Sequence, residues 1–167
     1  RSMGDRLQYV EENYPEYSDR ITYTSGFTSD TDVNYIVHCA ANAQVADTIK
    51  DPLTAVSDNV VFTANLLDYA RNFCPNLKRF VYLSSGEVYG PNKDDSSWKE
   101  TDPLNCQSPY SGTKAAGENL VTSWAHAYNI PSVIIRAQNI YGPRQMPGKF
   151  FSLMMTKLIK GEAVTLH

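Results

Sequence analysis

Tyr110 and Lys114 stand four residues apart in the segment Tyr110-Ser-Gly-Thr-Lys114, which reads as part of a helix. Residues i and i+4 share one helix face, so a phenol and an ammonium would be aimed at one spot. A tyrosine titrates near pH ~10 when unperturbed, too high for a base at neutral pH. A fixed positive charge beside it favours the phenolate and lowers that pKa. The pair is therefore a candidate proton shuttle. The spacing alone recurs by chance, and its weight comes from the residues on either side.

Further chemistry-bearing residues follow the ends of apolar runs. Ala40 and Ala41 close the run VNYIVHCAA over Val33 to Ala41, Ser84 and Ser85 close RFVYLS from Arg79, and Asn139 follows PSVIIR over Pro131 to Arg136. Runs this apolar and this rich in branched residues predict strands buried on both faces. A further short strand is predicted over Arg20 to Ser25. Helical patterns separate the strands. Met3 to Asn13 is one, and a long one runs from Pro52, with Asp51 as a possible cap, through Val56, Val60, Leu66, Leu67 and Ala70. Tyr110 to Tyr128 is the next, and Phe150 to Lys160 is the last, ended near Gly161. Pro91 to Pro109 is polar and turn-rich and reads as a surface excursion; Gly142 to Gly148 reads as a loop.

Strands alternating with helices predict an α/β fold, a doubly wound parallel sheet with helices on both faces. Ligands of such sheets bind at the carboxyl ends of the strands, where the order reverses. Ala40, Ala41, Ser84, Ser85 and Asn139 would all be delivered to that one rim.

The chain's 167 residues suffice for a single domain with a real core. Hydrophobic content of 42% and charged content of 20% fit a globular protein in water. A net charge of -3 leaves no basic footprint for nucleic acid. No apolar run approaches the ~20 residues that cross a bilayer, and no signal-peptide pattern is visible. Cys39, Cys74 and Cys106 are odd in number and widely spaced, which suggests neither a metal site nor a disulfide framework and fits a reducing cytoplasm. Cys39, within an apolar run, is expected in the core.

Taken in order, these motifs resemble the extended short-chain dehydrogenase/reductases, in the branch of NAD-dependent nucleotide-sugar epimerases and dehydratases. His38-Cys-Ala-Ala41 resembles that family's H-x-A-A strand end. Asn59-Val60, Thr63 and Asn65-Leu-Leu67 resemble its N-V-x-G-T-x-N-L-L helix, with Phe62 in place of the glycine. Val81-Tyr-Leu-Ser-Ser-Gly-Glu-Val-Tyr-Gly90 resembles the strand with the catalytic Ser or Thr, here Ser85. Pro109-Tyr110 through Glu118 resembles P-Y-x-x-S-K-x-x-x-E, and Arg136 to Arg144 resembles R-x-x-N-x-Y-G-P-R.

The resemblance implies a partial NAD(P)-binding Rossmann domain spanning residues 1–167 and a retained nicotinamide cofactor, NAD with NADP left open. It makes Ser85, Tyr110, Lys114 and Glu87 the catalytic candidates. Ala40, Ala41, Asn59, Ser84, Tyr110 and Lys114 become cofactor contacts, and Ser85, Glu87, Asn139 and Arg144 substrate contacts, with no metal. It implies a nucleotide-sugar substrate and a homodimer paired through the Tyr–Lys helix, with Val121 and Trp124 contributing. The family's Gly-rich phosphate loop and its ribose-binding acidic residue are not found in this sequence, so the chain reads as part of a longer enzyme.

Within the branch, Gly86 stands where a hexose 4,6-dehydratase has Asp, which tilts the reading towards a 4-epimerase over a dehydratase or decarboxylase. A catalytically silent, cofactor- or partner-binding homologue is the alternative of another class. Plainer readings stand beside these. Glu87 is equally a solvated carboxylate, Arg144 equally a loop cover, and Glu118 a structural partner on the Lys114 face. His38 is a core histidine, and Tyr89 and Tyr141 are packing residues.

Overall fold

The computed structural model describes residues 8–9, 11–22, 24, 26–27, 32–92, 97–143, 145 and 147–164. Three parallel strands, β1 (Tyr35–His38), β2 (Arg79–Ser85) and β3 (Ser132–Ala137), form a sheet in that order. The register pairs Tyr35 with Arg79 and His38 with Tyr82, then Phe80 with Ser132 and Ser85 with Ala137. The helices are α1 (Pro15–Ser18), α2 (Val45–Lys50), α3 (Pro52–Val56), α4 (Phe62–Phe73), α5 (Pro109–Tyr128) and α6 (Phe150–Ile159). Among the described residues this is an α/β chain with the parallel sheet of a partial Rossmann-like fold.

The core lies between the sheet and the α4–α5 pair, where Leu67, Ala70, Phe80, Tyr82, Val121 and Ile130 form one buried cluster with Ile36, Ile134 and Trp124 against it. Side chains alternate faces along a strand, so Phe80, Tyr82 and Ser84 of β2 all turn to this side. Gly117 lets α5 close on β2, because a Cβ there would fall on the Tyr82 hydroxyl.

The expectation of strands buried on both faces is not met. Tyr35 and Val37 of β1 are 64% and 60% exposed, and Val133 and Ile135 of β3 are 42% and 43% exposed. These residues occupy the opposite face, which no described helix covers. Of the strand predicted over Arg20 to Ser25, residues 20–22 and 24 are described, and none of these is in a strand. The Arg20 amide closes a turn onto the Tyr17 carbonyl instead. Of the helix predicted over Met3 to Asn13, residues 8–9 and 11–13 are described and helical.

The helix predicted through Pro52 to Ala70 begins where expected, with the Asp51 carboxylate accepting from the Thr54 amide at 3.0 Å. It is interrupted at Ser57–Val61 by one wide turn that joins α3 to α4. Asn59 inside that turn accepts from the Asn42 amide at 2.6 Å and donates to the Asn42 carbonyl and to Thr113 Oγ1 at 3.1 and 2.9 Å. Those contacts tie the β1 exit and α5 to the turn.

Helix α5 starts one residue before the predicted point. Ser108 and Ser111 form a reciprocal cap, each hydroxyl accepting the other's amide at 3.1 Å, and Pro109 takes the first helical position. Asn129 in the left-handed region ends it.

His38 is the buried core histidine expected. Its Nε2 lies 2.8 Å from Thr63 Oγ1, and burial, aided by the Lys114 charge, lowers its pKa to about 4. Cys39 departs from expectation: β1 ends at His38, and the Cys39 thiol is exposed beyond it.

Candidate active site

Because the strands are parallel, their carboxyl ends share one rim, and the chain leaves β1, β2 and β3 into the same space. A cleft of about 430 Å³ opens there, walled by Cys39 and Ala41 after β1, by Ser84, Ser85 and Glu87 from β2 and its exit, by Gln138 and Asn139 after β3, and by Tyr110 and Lys114 from α5. Lys149, Phe150 and Phe151 close its far side.

Tyr110 lies in the first turn of α5 and is half-buried. Burial raises its pKa, the neighbouring Ser85 hydroxyl lowers it, and the Glu87 carboxylate raises it again. The Ser85 oxygen accepts the Glu87 amide at 3.2 Å, which leaves the hydroxyl proton free to be donated to an oxygen in the cleft.

Lys114 sits one turn further along α5 and is 4% exposed. Its ammonium donates to the Leu83 carbonyl at 2.6 Å and lies 4.9 Å from the centroid of the Tyr82 ring. Burial lowers its pKa, while Cys39 and Glu118 act to raise it. Burial is the largest influence on the Tyr110 phenol, and the Lys114 ammonium is engaged at β2. The Ser84 hydroxyl is buried in the cleft wall with no hydrogen-bond partner among the described residues. A buried polar atom in that condition is costly unless a ligand satisfies it.

Ser84, Ser85, Glu87, Tyr110, Lys114, Ala41 and Asn139 are thus brought together. Ala40 faces a neighbouring cavity with Ala41, Asn42, Asp58 and Phe62. Asn59 is not on the cleft but is the buried brace beneath it. Arg144 lies outside the described residues. Sequence reasoning missed Cys39 and Gln138 as wall residues. Their signal was position alone, the first residue past β1 and the residue before Asn139.

Glu118 grips Arg136 through two hydrogen bonds to Nε at 3.0 and 3.1 Å and one to Nη2 at 2.8 Å, while Arg136 Nη1 donates to the Tyr89 hydroxyl at 2.6 Å. Tyr89 in turn stacks on Trp98 with ring centroids 5.4 Å apart. This knot fixes the exit of β2 against β3 and α5. Among the described residues no cluster of His, Cys, Asp and Glu could hold a metal ion, and no helix is long and apolar enough to cross a membrane.

Known proteins resemble this chain in sequence and fold. A dTDP-D-glucose 4,6-dehydratase of Dictyostelium discoideum is 33% identical over 145 residues, 81% of this chain and 33% of the relative. A dTDP-glucose 4,6-dehydratase of Streptomyces antibioticus is 34% identical over 173 residues, 98% of this chain and 50% of the relative. The crystal structure of UDP-glucuronic acid 4-epimerase from Bacillus cereus in complex with UDP-glucuronic acid and NAD superposes with a TM-score of 0.79 at 26% identity, covering 95% of this chain and 52% of that one. The dTDP-glucose 4,6-dehydratase of Streptomyces venezuelae, with NAD bound, gives 0.80 at 31% identity over 95% of this chain and 49% of that one. The chain spans about half the length of these proteins or less. It matches the family description over residues 18–167, and so it belongs to the NAD-dependent epimerase/dehydratase family.

Proposed function

We propose that this chain carries the catalytic residues of an NAD-dependent nucleotide-sugar 4-epimerase. The observation that carries the reading is the placement of the Ser85 hydroxyl beside the Tyr110 phenol at the mouth of one cleft, with the buried Lys114 ammonium and the unpartnered Ser84 hydroxyl in its wall. The last two fit a polar cofactor, and with Ala41 and Tyr110 they would hold its nicotinamide–ribose end. When bound, nicotinamide supplies a reversible hydride acceptor.

Tyr110, as phenolate, would take the proton of the sugar C4 hydroxyl, and Ser85 would donate a hydrogen bond to the same oxygen as it becomes a ketone. Once the sugar has turned, Tyr110 would give the proton back to that same oxygen, and inversion at C4 would come from return of the hydride to the other face of the ring. Asn139, exposed at the β3 exit on the cleft, would meet the nucleotide end of the substrate. Gly86 brings no acidic side chain to the cleft, which favours epimerisation over loss of water.

A 4,6-dehydratase is the second reading, favoured by Glu87 on the cleft wall and by the dehydratase relatives. Incubating the full-length protein with UDP-, GDP- and dTDP-sugars decides between them. An isobaric C4 epimer supports the epimerase, a product lighter by one water supports the dehydratase, and no turnover with no nicotinamide released by acid removes both.

A homodimer through α5 in a reducing cytoplasm completes the reading. Three free cysteines fit that setting, and Trp124 remains partly exposed for the contact. Val121 is 1% exposed in the core and has no part in it.

A further inference from the structure

Gly86 follows Ser85 directly and opens the tight turn Gly86–Tyr89. Its backbone is not in the left-handed region, unlike that of Gly90 and Gly161, so the turn does not demand a glycine for its φ angle. Space demands it. A Cβ added at Gly86 would fall onto the Gln138 carboxamide, meeting Nε2, Cδ and Oε1, with Oε1 the farthest at 2.7 Å.

The register explains why Gln138 is there. Ser84 pairs with Arg136 and Ser85 with Ala137, so residues 86 and 138 continue as the next neighbours beyond the last pair of β2 and β3. The Gln138 side chain lies flat over Gly86, in the wall of the cleft that Ser85, Glu87 and Tyr110 also line. No described residue hydrogen-bonds its carboxamide. An amide both donates and accepts, which matches a hydroxyl, itself donor and acceptor. Glu87 beside it is acceptor-only when ionised, so the two walls of the turn offer different chemistry.

We propose that Gln138 is a specificity-determining residue that recognises a sugar hydroxyl next to the carbon served by Ser85 and Tyr110, and that position 86 is glycine to seat it. This rests on the nucleotide-sugar reading above. It also gives Gly86 a positive role, as the floor on which a neutral amide is held at the reacting centre.

The displaced group is the far end of a flexible side chain, so Gly86→Ala pushes Gln138 aside and leaves the backbone in place. Gly86→Ala and Gln138→Ala therefore remove the same contact by different routes. The test uses the full-length, cofactor-loaded protein and a nucleotide sugar that it turns over. Wild type, Gly86→Ala, Gln138→Ala and the double variant are compared for kcat, KM and melting temperature, with Tyr110→Phe alongside.

Each single variant is expected to raise KM about tenfold with kcat within about threefold, the pattern of a lost hydrogen bond to the bound sugar. The double variant should be no worse than Gln138→Ala, because the second change has nothing left to remove. A substrate analogue lacking the neighbouring hydroxyl should be bound equally by wild type and Gln138→Ala. An unchanged KM in Gln138→Ala, or losses that add in the double variant, overturns the proposal. Dead Tyr110→Phe with a normal Gln138→Ala sinks this inference alone; active Tyr110→Phe sinks the reading beneath it.

Discussion

The Lys114 ammonium is hydrogen-bonded to the Leu83 carbonyl at 2.6 Å, one residue before the unpartnered Ser84 hydroxyl on the same strand. The charge is thereby fixed in the cleft wall beside β2. Burial already works against that charge, so its removal should cost little in stability. Lys114→Met is expected to fold, to release its nicotinamide on gel filtration and to lose about a hundredfold or more in kcat. A variant that keeps both cofactor and rate would take Lys114 out of the site.

Tyr110 gives a pH profile with a sign that can be worked out. The base form is the phenolate, and burial raises the phenol's pKa, so kcat/KM should climb as pH rises through neutrality. The Ser85 hydroxyl lowers that pKa and the Glu87 carboxylate raises it. Ser85→Ala should therefore move the ascending limb to higher pH and Glu87→Gln to lower pH. Shifts of the same sign in both variants would contradict the arrangement. Tyr110→Phe should abolish turnover while keeping the cofactor.

The sequence located β2, β3 and α5 to within a residue because each is an apolar run or helical pattern bounded by local signals, such as the Ser108–Pro109 start of α5. The convergence of Ser85, Asn139 and Ala41 on one rim follows from parallel strands and was legible for that reason. What escaped the sequence depends on partners far along the chain. The wide turn at Asn59 is held by Asn42 and by Thr113, 54 residues away, and no local pattern announces it. The bare face of Tyr35, Val37, Val133 and Ile135 depends on which elements flank the sheet, whereas the strand pattern records only that the residues are apolar. The Lys114 direction is a matter of side-chain conformation, and the Gln138 seat follows from strand register.

His38 makes acid sensitivity a second measurable property. Its pKa is 6.5 in an unfolded chain and about 4 in the fold, because burial between Thr63, Phe62, Phe80 and Tyr82 and the Lys114 charge oppose protonation. Below pH 6.5 the unfolded chain binds a proton that the folded chain refuses. Stability is thus fully present above pH 6.5, declines as pH falls towards 4, and then levels off, a loss of about 3 kcal/mol from this residue. His38→Asn should be less stable at neutral pH, since it disturbs the Thr63 contact, yet lose less on acidification. Urea unfolding at pH 7 and pH 4.5 measures the difference, and equal pH slopes in the two proteins would show that His38 is not the titrating group.

The Glu118–Arg136 pair should behave as architecture instead of catalysis. The Glu118 side chain is 5% exposed and that of Arg136 20%, and the three hydrogen bonds between them are joined by the Tyr89 hydroxyl. Removing one partner of such a pair strands the other charge away from water, typically a loss of about 3 kcal/mol or more. Glu118→Ala should therefore lower the melting temperature by several degrees, with Arg136 left to the Tyr89 hydroxyl and the Glu100 carbonyl. Because Tyr89 ends the turn that starts at Gly86, loosening the knot should also relax the seat of Ser85 and Glu87. The rate should recover on cooling, where the fold is intact, and that recovery separates this role from one in the chemistry. A large drop in kcat at low temperature with an unchanged melting point would instead put Glu118 among the reacting groups.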